Sequence, residues 1–134
     1  MDRTPAREHP VWRKLLRVLA AALFVVAGSK HFTNAAFYRS IVPRGFGDPP
    51  LLVAISGGCE IAGGLGLLIA PLRRLAGWGL IALLIAVFPA NVYMALYPNR
   101  IVGLHVTHWL LWLRLPLQGI FILWVWFISR SDKT

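Results

Sequence analysis

Apolar positions along this chain do not alternate with polar ones at a helical period. They gather into four runs, at about residues 11–29, 51–71, 78–97 and 108–129, separated by short polar or turn-forming stretches. About 20 residues wound as a helix cross the hydrocarbon core of a bilayer, and a helix that is apolar on every side leaves no face for water. The pattern therefore predicts an all-α, integral membrane four-helix bundle, one domain over residues 11–130. It is flanked by polar tails at residues 1–10, which hold Pro5 and Pro10, and 131–134. The first run is the shortest. Arg13, Lys14 and Arg17 lead into apolar residues that end in the small residues 27–29, a layout that a cleavable signal peptide shares. Between the first and second helices, residues 30–50 mix aromatic and polar side chains and end in turn formers, predicting a polar re-entrant or interfacial loop whose Phe37, Tyr38 and Phe46 lie in the interface or, as the alternative, lid a pocket.

Composition agrees with lipid as the solvent. With 57% hydrophobic and 14% charged residues, the chain has too little polar surface to cover a soluble globule. The net charge of +9 raises nucleic acid as a partner, but the basic residues fall in the gaps between apolar runs and build no continuous patch, so nucleic-acid binding is excluded as the reading. Their distribution sets a topology instead. Five Lys or Arg precede the first helix core, two lie in the Arg73/Arg74 turn and two follow the last helix, against four (Lys30, Arg39, Arg44, Arg100) on the opposite side. Nine against four predicts both termini in the cytoplasm. Trp109 and Trp112 at one end of the last helix, and Trp124 and Trp126 at the other, suit the two interfaces. Cys59 is the only cysteine, which excludes an internal disulfide, a CxxC pair and a thiolate metal cluster.

Candidate chemistry starts from Glu60, near the middle of the second run, and Arg114, the one strongly basic residue inside another. An acid or an Arg at a helix centre costs roughly 2.5–3.5 kcal/mol to insert, so an ion pair between them is the expected arrangement. Gln118 shares a face with Arg114, and Asn91, Lys30 and His31 fall at a similar depth, which makes a polar layer of six candidates. Such a layer either locks the bundle or lines a pocket where Arg114 meets an anion or a quinone carbonyl and Glu60 handles a proton. Pro89 and Pro116 would free the carbonyls of Ile85 and Trp112 nearby. Ala54, Gly58, Ala62 and Gly66 recur at four-residue spacing, predicting a ridge without bulk for close helix packing, within one copy or in a homodimer. His105 and His108 are three apart, but without a carboxylate set no metal site is expected.

Five stretches carry a family resemblance: AGSKHF (27–32), FYRSIVP (37–43), SGGCEIAGGLGLL (56–68), FPANVYMA (88–95) and RLPLQGIFILWVW (114–126). Together they resemble the DoxX family of small four-helix membrane proteins. The resemblance implies a protein of a bacterial cytoplasmic membrane that serves as an accessory or quinone-associated subunit of a membrane redox system, with a soluble or membrane oxidoreductase as partner; the sequence itself shows no catalytic triad, nucleotide loop or phosphate-binding glycine motif, which disfavours catalysis by the isolated chain. The alternative it leaves open is a non-catalytic assembly or scaffold module packed against a partner membrane protein; a small transporter ranks behind both.

Overall fold

The computed structural model describes residues 10–130, and all regular structure there is helical. Five α-helices follow one another: α1 (Val11–Thr33), α2 (Ala35–Ser40), α3 (Pro49–Leu68), α4 (Arg73–Leu96) and α5 (His108–Ser129). Short 3-10 turns at Ala70–Leu72 and Pro98–Arg100 precede and follow α4. Three segments, Pro49–Leu68, Ala70–Leu96 and His108–Ser129, are long and apolar enough to cross a membrane. The tails expected at residues 1–10 and 131–134 lie outside the described residues, Pro10 excepted.

Helix limits follow local chemistry. The second helix starts at Pro49 rather than at residue 51, because a first-turn proline lacks only an N–H that the helix would leave unbonded. It ends at Leu68, with Pro71 three residues on. The third begins at Arg73, not residue 78, with Arg73 Nε donating to the Leu67 carbonyl at 2.8 Å and so capping the preceding helix. α1 continues to Thr33 instead of stopping at residue 29. The stretch expected as an irregular loop contains α2, tied down where the Val102 N–H donates to Ser40 Oγ at 3.1 Å. Beyond α2, Gly45 and Gly47 take φ of 91° and 118°, values that favour glycine, and turn the chain into α3.

α1 packs along α3, α3 along α4 and α4 along α5. At the end where α1 begins and α5 finishes, arginines join the helices. Arg13 Nη2 donates to the carbonyls of Phe127 (2.9 Å) and Arg130 (3.3 Å), and Arg17, only 6% exposed, donates from Nε to Ile128 O at 3.3 Å. These cations sit where a helix presents unbonded carbonyls and the negative end of its dipole. Just inside, Ala20, Phe24, Leu67, Leu80, Ile81, Val125 and Ile128 form one core to which all four long helices contribute. A second core, Ile41, Met94, Ala95, Ile101 and Leu111, closes the opposite end under the segment after α2. Much of the outer surface is apolar, with Leu19, Leu23, Val26, Leu65, Ile85, Ile120 and Leu123 exposed. An apolar belt of that extent on a water-soluble monomer would be an association site.

Candidate functional site

Between the two cores the interior is not filled, and a cavity of about 420 Å³ remains. Its walls come from every helix: Phe24, Ala27 and His31 on α1; Phe37 and Tyr38 on α2; Val53, Ser56 and Glu60 on α3; Leu84, Val87, Ala90 and Asn91 on α4; and Arg114 on α5. Phe46, in the turn before α3, lines it too. Ile55, Ala86 and Arg114, also at the wall, are exposed on apolar helices, so the rim reaches the outer belt.

Glycine sets the depth of this cavity on the α1–α3 side. A Cβ at Gly57 would stand 2.7 Å from His31 Cβ, and one at Gly28 would stand 2.8 Å from the Gly57 carbonyl. The backbones therefore approach until His31 meets the α3 face that carries Glu60. His31 Nδ1 lies 3.0 Å from the Ala27 carbonyl and 3.5 Å from Glu60 Oε2. A carbonyl only accepts, so Nδ1 carries a proton, and the same N–H faces the carboxyl group. The imidazole stacks on Tyr38 with ring centroids 4.0 Å apart. Burial pushes the Tyr38 hydroxyl above the ordinary tyrosine pKa of 10.0, the Glu60 charge adds to the rise and Arg114 opposes it. Both charges thus act on one phenol.

Four of the six polar-layer candidates, Glu60, Arg114, Asn91 and His31, line the cavity; Lys30 and Gln118 do not. Lys30 is exposed, as a long cation at a helix end that reaches water tends to be. Gln118 is buried and committed elsewhere: it accepts from Asn91 Nδ2 at 2.8 Å and donates from Nε2 to the Leu84 carbonyl, pinning α4 to α5. The expected Glu60–Arg114 ion pair does not form. Among the described residues the partner of Glu60 is His31, and Arg114, exposed on α5, has no ion pair. Depth along the helices put the two charges at one level, but depth does not set the direction in which a side chain leaves its helix.

Within the chain, the expected small-residue ridge packs only at Gly66. Ala54, Gly58 and Ala62 face outward, and a Cβ at Gly58 would meet nothing within 4 Å; only Gly66 is buried, against Ala76. The surface that packs on α1 is the neighbouring one, Gly57, Ile61 and Gly64. Tyr38, Phe37 and Phe46, expected in the interface or over a pocket, line the cavity. The sequence signal for Gly57 and Gly64 was present, since they share a face with Glu60, and an acid that must turn inward identifies its own face as the packed one. His108 accepts from Trp112 Nε1 at 3.1 Å, and no three His, Cys, Asp or Glu side chains among the described residues group to hold a metal.

No curated protein and no solved structure matches the chain. The stretches that suggested DoxX combine glycines, helix prolines and terminal tryptophans, features that packed apolar helices share whatever their ancestry. Membership of DoxX is overturned by the family model that residues 19–129 match: the chain belongs to the family described as "Domain of unknown function (DUF8561)".

Proposed function

We propose that this is an integral membrane protein of four spans that binds a small lipophilic molecule with a polar head in the cavity between its two cores. One observation carries the reading: a largely apolar cavity of about 420 Å³ onto which His31, Tyr38, Ser56, Glu60, Asn91 and Arg114 converge. Ligand sites have this make-up, apolar walls for the body and a few placed polar groups for orientation, at volumes of roughly 300–1,000 Å³. α1 serves as the fourth span. Its 23 residues reach across the hydrocarbon core at about 1.5 Å per residue, and its charged residues sit toward its ends, where Arg and Lys stems extend to the headgroups. The end bearing Arg13, Arg17, Arg73, Arg74 and Arg130 faces the cytoplasm by the excess of basic charge. The exposed rim at Ile55 and Ala86 gives the ligand access from the bilayer rather than from water. A quinone is one member of this class, its carbonyls facing Arg114 and Tyr38.

The test is a thermal-melting titration of the detergent-purified protein with decylbenzoquinone, laurate, dodecylamine and a short-chain phosphatidylethanolamine, on the native chain and on Val87→Trp, which fills the cavity and removes no polar group. A saturable rise in Tm with at least one probe, absent from Val87→Trp, supports the reading. Equal shifts in both proteins, or none in either, contradict it.

A second reading has its own observation. The open ridge of Ala54, Gly58 and Ala62 on α3 is a surface along which another helix can approach closely, as an assembly module or homodimer requires. It predicts that Gly58→Leu with Ala62→Leu disrupts a complex isolated from membranes while leaving the fold intact; survival of that complex counts against it.

A further inference from the structure

The cavity holds opposite formal charges on separate walls, Glu60 on α3 and Arg114 on α5, that are not joined to each other. The remaining polar groups differ in what they offer. Asn91 already donates to Gln118, and His31 directs its Nδ1–H at the Ala27 carbonyl with the Glu60 carboxyl group 3.5 Å away. Arg114 and the Tyr38 hydroxyl make no hydrogen bond among the described residues, and both are donors. Glu60 therefore offers an acceptor on one wall and Arg114 donors on another, while Tyr38 stacks on His31, the partner of Glu60. In an apolar surround a charge without a counterpart is costly, and removing only one of two opposite charges leaves the other exposed to that cost. A ligand with a single charge satisfies one wall and abandons the other. A net-neutral ligand whose head carries both charges satisfies both.

On the reading of this cavity as a ligand site, we propose that its ligand is a zwitterion on an apolar body, with a protonated amine set against Glu60 and an acidic oxyanion set against Arg114. The amine carries N–H donors for the carboxyl group. The oxyanion, phosphate or carboxylate, takes the guanidinium fork. The apolar walls, Phe24, Leu84 and Val87 among them, take the body. Two sources supply such a molecule, the headgroup region of an ethanolamine phospholipid and a free long-chain amino acid.

The experiment measures apparent affinity by thermal melting for dihexanoyl phosphatidylethanolamine, α-aminododecanoic acid, laurate, dodecylamine and decylbenzoquinone, on the native chain and on Glu60→Gln, Arg114→Gln, Arg114→Lys and Val87→Trp. The expected result is that a zwitterion binds best, roughly tenfold or more above laurate and dodecylamine, as the loss of one charged hydrogen bond implies. Its affinity falls by a similar factor in Glu60→Gln and in Arg114→Gln and is partly recovered in Arg114→Lys, which keeps the charge and loses the fork. Whichever zwitterion binds more tightly identifies the source. Should Glu60→Gln fail to fold, the ranking of probes on the native chain decides alone. Laurate, dodecylamine or the quinone matching the zwitterions, with binding still lost in Val87→Trp, overturns the zwitterion and leaves the ligand site standing. No saturable binding of any probe overturns both.

Discussion

Gly57 and Gly58 are adjacent in sequence and opposite in duty. The first lets the α1 backbone come within contact of α3, whereas the second points into open space. Gly57→Ala should destabilise the protein by about 1–3 kcal/mol, the usual cost of forcing bulk into a packed contact. Gly58→Ala should be neutral or gain up to about 1 kcal/mol from helix propensity. Unfolding in mixed micelles followed by circular dichroism reads the difference, and equal effects would show that the two positions are equivalent. Tyr38 supplies a second prediction at this scale. Its hydroxyl is raised above 10.0 in the folded protein by burial and by Glu60, so the folded state holds the proton more tightly than the unfolded chain. That contribution to stability is fully present below about pH 10 and is lost as pH rises through the raised value. Melting temperature should therefore fall more steeply above pH 10 in the native chain than in Tyr38→Phe; parallel curves would mean that the phenol is not held in the cavity wall.

Among the elements, α4 and α5 are joined through a polar chain: Asn91 donates to Gln118, and Gln118 donates to the Leu84 carbonyl. Gln118→Leu removes both bonds and strands the Asn91 amide, which should cost about 1–3 kcal/mol. Gln118→Leu with Asn91→Leu should recover part of that loss, because apolar groups replace both partners, and a double-mutant cycle by thermal or denaturant unfolding measures the coupling. Much at this scale was legible beforehand. Runs of about 20 apolar residues predict all four long helices, with ends off by at most five residues, because lipid leaves the backbone no alternative to bonding itself. The short helix α2 was not, since six residues carry too little periodic pattern to separate a helical turn from a loop. Nor was the azimuth of α5. A helix apolar all round gives no moment to say which way Arg114 points, and the expected pair with Glu60 failed on that missing angle.

At the scale of the whole molecule, the apolar belt, the basic end and the cavity belong to one arrangement. Basic side chains cap α3 and α5 at one end, the second core closes the other, and polar groups collect where the interior is left open. Which residues would form that polar layer was legible in part, from the rule that intramembrane ionisable groups face the interior. The cavity itself was not, because it depends on the position of α2 and on the glycine contact between α1 and α3. Cys59 offers a clean test of embedding: it is the only cysteine, exposed, and near the middle of α3. In liposomes it should react with a lipophilic maleimide and resist a membrane-impermeant thiol reagent added to either side; rapid labelling by the impermeant reagent would place that surface in water.

The account rests on the cavity being an occupied site, and native mass spectrometry of gently extracted protein tests that without presuming which ligand is held. The native chain should carry a bound small amphiphile that survives desolvation, and Val87→Trp, extracted in the same way and equally folded, should be free of it. The same adduct on both proteins, or a bare native chain from intact membranes, would contradict the central claim.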